Sequence, residues 1–212
     1  MTSFLLSDQL PPQLIKIKIN AYNTTMTELH KHTKYIACIL IAVTVFTFCL
    51  AGYKVFLALM HPVKYTDKIL SVAKEYNIHS SLIASVINVE SSYRPDAKSS
   101  KGACGLMQLK VSTANYVADM YNLNRVTEED LYDVKTNIQY GTLYLKYLIN
   151  KFEIVDTALA SYNAGETIVR SWLNDGIHSV DKKNLGYIPY EETRNYIEKI
   201  KNNMKFYTKI YK

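Results

Sequence analysis

From Ile36 to Tyr53, eighteen consecutive residues carry no charge, and after a single Lys54 the apolar run continues to Met60. A helix of eighteen to twenty-five residues is long enough to cross the hydrocarbon core of a bilayer, so this stretch predicts a membrane span. Pro62 breaks the run, and from there apolar positions recur at three- and four-residue spacing. Ile69, Val72, Ala73 and Tyr76 mark an amphipathic helix, and Ser80 or Ser81 is placed to cap a second one, Leu82-Ile83-Ala84-Ser85-Val86-Ile87-Asn88-Val89-Glu90-Ser91. Ser112 is placed to cap a helix running towards Tyr121, and Ile138, Leu145, Leu148 and Ile149 predict a long one ending near Phe152. Asp156 to Tyr162 predicts another, closed by Asn163-Ala164-Gly165, with Glu166 to Leu173 following. Ile197, Ile200, Met204, Tyr207 and Tyr211 recur on a final helix entered through Pro189. The fold class predicted is all-α, mostly helical with at most a small β-ribbon between 97 and 109, preceded by a single transmembrane helix.

Three segments follow: residues 1–34 as a disordered tail, residues 35–60 as a membrane anchor, and residues 61–212 as one globular domain. The tail reading rests on Pro11-Pro12 and on Asn/Thr-rich stretches that lack a long apolar period. Lys54 does not defeat the anchor, because a lysine near a helix end reaches the interface with its aliphatic stem. A cleaved signal peptide is the competing reading. Its charged leader would be 34 residues long unless Met26 is the start, and Cys49-Leu50-Ala51 supplies a small-residue cleavage site. Lysines flank the span on both sides, at 31 and 34 and at 54, 64 and 68, so charge asymmetry does not orient it.

Composition narrows the function classes. The formal charge of the 212-residue chain is +6, but residues 61–212 hold 20 Lys and Arg against 17 Asp and Glu, so nucleic-acid binding is not indicated. Lys199 to Lys212 contains five lysines and no acid, a basic end suited to a solvated face, an acidic polymer or a membrane surface. Cys104 is alone in the globular part, which excludes a disulfide within it. The histidines at 30, 32, 61, 79 and 178 show no metal-ligand spacing, and no metal or cofactor is called for. Eighteen tyrosines are a heavy aromatic load, suited to helix packing.

Candidate chemistry centres on Glu90. On a helix it shares a face with Ile83, Val86 and Ile87, so its carboxylate emerges where core is expected. Burial against aliphatic neighbours disfavours the anion and raises the pKa, the condition for donating a proton near neutral pH. Twelve residues on, Gly102-Ala103-Cys104-Gly105-Leu106-Met107-Gln108 predicts a tight loop that lets backbone approach a ligand, with Met107 as an apolar contact and Gln108 as an amide donor. Glu192 and Tyr196 lie one helical turn apart.

Together Glu90-Ser91-Ser92-Tyr93, Ala97, Ser99, Gly102-Ala103, Gly105-Leu106-Met107-Gln108, Ser161-Tyr162-Asn163-Ala164-Gly165 and Glu192-Thr193-Arg194-Asn195-Tyr196 resemble the catalytic domain of soluble lytic transglycosylases, which has a goose-lysozyme-like fold. The likeness runs from about Tyr65 to Tyr211. It implies that Glu90 first protonates the bond between N-acetylmuramic acid and N-acetylglucosamine and then takes the proton from the muramyl C6 hydroxyl, giving a 1,6-anhydro product without a cofactor. It further implies that Tyr196 orients Glu90, and that Ser91, Met107, Gln108, Tyr162, Asn163 and Glu192 contact peptidoglycan strands. A wall-cleaving domain must face outwards, which puts the tail in the cytoplasm and the domain outside the cell membrane. The chain departs from the family where Leu109-Lys110-Val111-Ser112-Thr113-Ala114 stands in place of Leu-Met-Pro-x-Thr-Ala, and where Ser161 replaces the commoner alanine. A hydrolase of the lysozyme type and a non-catalytic wall-binding module remain the alternatives, and a role in wall turnover, in a secretion or conjugation machine, or in phage biology is not distinguished.

Overall fold

The computed structural model describes residues 11–211 and divides them into two units, one ending at Leu57 and one beginning at Ala58. The described part of the first belongs to a single helix, α1 (Pro12–Met60), whose last three residues fall in the second unit; none of its residues is buried, and its composition and length are sufficient to cross a membrane. Its N-terminal part differs from the expected unstructured tail: residues 12–34 are helical, while residues 1–10 lie outside the described residues. Pro12 occupies the first helical position, no Gly or Pro follows before Gly52, and the hydroxyls of Thr24, Thr25, Thr27 and Thr33 return to carbonyls four residues back. Extending a helix already nucleated costs far less than starting one, so the segment needs no apolar face of its own.

The second unit is built from α2 (Thr66–Tyr76), α3 (Ser80–Ser91), α4 (Val111–Tyr121), a 3₁₀ turn (Glu129–Tyr132), α5 (Val134–Phe152), α6 (Val155–Ala164), α7 (Glu166–Asn174) and α8 (Glu191–Tyr207). Helix α3 is the central one, with every residue from Ser81 to Asn88 buried, the polar Ser81, Ser85 and Asn88 among them. Helix α8 packs along α3 and α6, and α5 packs on α2, α4 and α6. The helix starts differ slightly from the serine caps expected: α3 is preceded by His79 and α4 by Lys110, neither with a side-chain cap bond. Helix α5 has the genuine cap, with Asp133 accepting from the Thr136 N–H at 2.8 Å.

The expected ribbon is reduced to two isolated antiparallel bridges, Lys98 with Cys104 and Cys104 with Leu109. They separate a main core spanning α2, α3 and α5 to α8 from a smaller one formed by Cys104, Leu109, Ala114, Ala118, Leu131 and Tyr140. Tyr144 and Tyr162 pack against both. Their seam is where the groove opens.

Candidate active site

Glu90 occupies the last turn of α3, and Ile83, Val86 and Ile87 on its face have no solvent exposure. The chain reverses immediately afterwards through Ser92 and Tyr93, both left-handed at φ 52° and 62°. Ser91 secures the reversal, its hydroxyl donating to the Leu106 carbonyl at 2.8 Å. The end of α3 is thereby tied to the loop that forms the opposite wall.

That loop is held from below by Asn137 of α5. Its amide donates to the Cys104 and Leu131 carbonyls at 2.9 and 2.8 Å and accepts from the Met107 N–H at 2.7 Å. Gly105, at φ 75°, lies so close that a Cβ would sit 2.2 Å from the Asn137 amide nitrogen and 2.3 Å from the Leu131 carbonyl oxygen. Glycine is thus needed here to admit Asn137, whereas the sequence suggested room for a ligand. Gln108, left-handed at φ 48°, folds its amide back onto the Ala97 and Gly105 carbonyls at 3.1 and 2.9 Å.

From the other side, Tyr162 of α6 donates its hydroxyl to the Met107 carbonyl at 2.8 Å. Asn163 accepts from the Thr193 hydroxyl of α8 at 2.7 Å, which fixes its amide orientation. Tyr196, one turn beyond Glu192, donates to Glu90 Oε1 at 2.7 Å. Glu90, Gln108, Tyr162, Asn163 and Glu192 line a common groove of about 380 Å³. A larger hollow of about 660 Å³ lies elsewhere, between α6, α8 and residues 184–188, without Glu90 or its partners.

The electrostatics of Glu90 suit proton transfer. Burial pushes its carboxyl up to about 7; the Tyr196 hydrogen bond works against that rise and the neighbouring Glu192 charge adds to it. Tyr196 is itself held well above the usual phenol range, by burial first and then by the Glu90 charge, so it stays protonated and donates.

Two expected contacts require correction. Ser91 and Met107 are buried, at 2% and 0% exposure, and neither lines the groove. Ser91 is turned by one helical step from Glu90 and spends its hydroxyl on backbone. Met107 packs against α5, where a Cβ on Gly141 would lie 2.5 Å from its sulfur. Only its carbonyl serves the site, as the acceptor for Tyr162.

Sequence reading missed Asn137, Tyr144, Thr113 and the groove cations Lys101 and Lys110. Lys110 stands within the very stretch that departs from the family pattern, which places the added charge in the groove. Asn137 had one signal, an amide beside the apolar stripe of α5, and it is only 1% exposed. Among the described residues, no group of three or more His, Cys, Asp or Glu is placed to hold a metal.

Residues 67–184 match the transglycosylase SLT domain family. The soluble lytic murein transglycosylase of Escherichia coli K12 is 33% identical over 144 residues, covering 66% of this chain and 22% of that protein. Membrane-bound lytic murein transglycosylase E of Buchnera aphidicola from Acyrthosiphon pisum is 45% identical over 92 residues, covering 42% of this chain and 41% of that one. Among solved structures, the lytic transglycosylase Slt of Pseudomonas aeruginosa superposes with a TM-score of 0.64 at 29% identity, over 72% of this chain and 25% of that one. The chain therefore spans about a quarter or less of these Escherichia coli and Pseudomonas aeruginosa relatives.

Proposed function

Because the chain belongs to the transglycosylase SLT domain family, we propose that it cleaves peptidoglycan strands between N-acetylmuramic acid and N-acetylglucosamine without water, leaving 1,6-anhydromuramyl ends. The observation that carries this reading is Glu90, a carboxyl raised to about 7 on an open groove and fixed by Tyr196 at 2.7 Å. At neutral pH a large fraction of such a group is protonated. It can donate to the leaving glycosidic oxygen and then, as carboxylate, accept the proton of the C6 hydroxyl. Intramolecular attack by that hydroxyl gains from its fixed geometry, and the single carboxyl serves both steps. Gln108, Tyr162, Asn163 and Glu192 are assigned to substrate, and Tyr196 to orienting Glu90.

One observation favours a second reading. Glu192 lines the same groove, so two carboxylates face it, and a pair is what a hydrolase needs to activate water. Digestion of purified peptidoglycan separates the two: anhydro ends one water lighter than reducing ends support the transglycosylase, and reducing muramic acid as the main product makes the chain a hydrolase.

For location, residues 35–60 are proposed to anchor the chain in the cell membrane, with residues 61–212 outside and the N-terminal segment in the cytoplasm. Support comes from the length and composition of α1 and from membrane-bound relatives. Full-length protein is expected to fractionate with membranes and resist alkaline extraction, whereas chains trimmed after Ala51 and released would establish a signal peptide.

A further inference from the structure

The basic C-terminal end found in the sequence has a defined place in the second unit. Tyr207, at the end of α8, donates its hydroxyl to the Pro62 carbonyl at 2.9 Å. The Phe206 ring stacks on His61 at 4.3 Å, and Tyr207 meets His61 edge-on at 6.0 Å. Asn88 of α3 donates to the Met60 carbonyl at 2.9 Å. Residues 60 to 62, the last of the apolar run and the first two beyond it, are thus fastened to α3 and to the end of α8.

Around this point the exposed side chains include lysines and apolar residues. Lys64, Lys205 and Lys209 are exposed, and among the described residues none of them has a carboxylate at ion-pair distance. Lys201, one turn back, is paired with Asp156 at 2.8 Å and is excluded from the patch. Next to Lys64 and Lys209 in sequence, Val63 and Ile210 leave 46% and 41% of their surface open. Lysines without a carboxylate partner beside exposed apolar residues are the composition of a membrane-water interface.

We propose that this end of the domain is a foot that rests on the acidic phospholipid headgroups of the membrane, with Lys64, Lys205 and Lys209 against phosphate and Val63 and Ile210 at the interface. The proposal rests on the anchoring of residues 35–60. If those residues span the bilayer, Met60 to Pro62 emerge at its surface, and their bonds to Tyr207, Phe206 and Asn88 bring the end of α8 there with them. Charge complementarity selects anionic lipid: among the described residues the three cations have no carboxylate partner, Lys205 donating only to the neutral Asn202 amide at 3.1 Å, and no acidic side chain occurs from Lys199 onward.

The test uses the full-length chain in nanodiscs of phosphatidylcholine alone or with a third of the lipid replaced by phosphatidylglycerol. Amine-reactive labelling followed by mass spectrometry reads each lysine. In the anionic discs Lys64, Lys205 and Lys209 should label about fivefold more slowly, while Lys101 and Lys110 at the groove label equally in both, and high salt should abolish the difference. Lys205→Glu combined with Lys209→Glu should enter both discs yet lose the protection at Lys64. Equal labelling in the two lipids overturns the foot, as does protection that arises only when peptidoglycan is added. A chain that enters neither disc overturns the anchor and the foot with it.

Discussion

The Tyr196 hydroxyl donates to the Glu90 carboxyl at 2.7 Å across 106 residues of sequence. It is the one hydrogen bond recorded for that carboxyl among the described residues, in surroundings that otherwise favour the neutral form. Packing of α8 along α3 brings the pair together.

Tyr196→Phe removes that bond and little else, so the fold should survive. Activity on peptidoglycan is expected to fall about ten- to a hundredfold, equivalent to roughly 1.4 to 2.7 kcal/mol of barrier. Because the bond opposes the rise in the Glu90 pKa, its loss should also move the alkaline limb of the kcat/KM profile to higher pH. An unchanged rate and an unmoved limb would make Tyr196 a packing residue.

Glu192→Gln should act in the opposite direction on the same profile. Its charge raises the Glu90 pKa, so neutralising it should bring the alkaline limb to lower pH. The product distribution adds a second readout. If Glu192 activates water, the variant should lose reducing ends selectively; a purely electrostatic and binding role leaves the product unchanged.

Glu90 was legible because its neighbours at three, four and seven positions back are all aliphatic, and helix geometry turns that spacing into a shared face. Tyr196 was not legible from pattern alone, since a tyrosine in the apolar stripe of α8 reads as core, and at 5% exposure it is core as well as partner. Ser91 and Met107 were misread for a physical reason: standing next to groove residues in sequence does not put a side chain in the groove when the backbone turns at Ser92 and at Gln108. The helicity of residues 12–34 escaped because a helix with nothing to bury leaves no apolar period.

Asn137→Leu keeps volume but removes both donors and the acceptor that hold the loop. The Met107 N–H and the Leu131 carbonyl would be left unpaired in a buried site, and the Cys104 carbonyl would keep only its bond from the Leu109 N–H. Destabilisation of about 3 to 5 kcal/mol is expected by urea denaturation, from losses of about 1 to 3 kcal/mol per stranded group that do not add fully. A loss below about 1 kcal/mol would show that the loop satisfies itself without Asn137.

Glu90→Gln keeps the shape of the side chain and its capacity to accept from Tyr196 but cannot transfer a proton. Wall cleavage should fall at least ~100-fold while binding to insoluble peptidoglycan persists, and full activity would remove Glu90 from the mechanism. Stability should move the other way, and with pH. The folded-state pKa of Glu90 is raised from 4.5 to about 7, so between those values the native protein binds more protons than the unfolded chain and loses stability as pH rises. The Gln variant has no such group to ionise. Its advantage over the unmodified protein should therefore grow from pH 4.5 to about 7 and level off above, to at most about 3 kcal/mol. Paired thermal melts across that range measure it, and a difference that does not change with pH would mean that folding leaves the proton affinity of Glu90 unaltered.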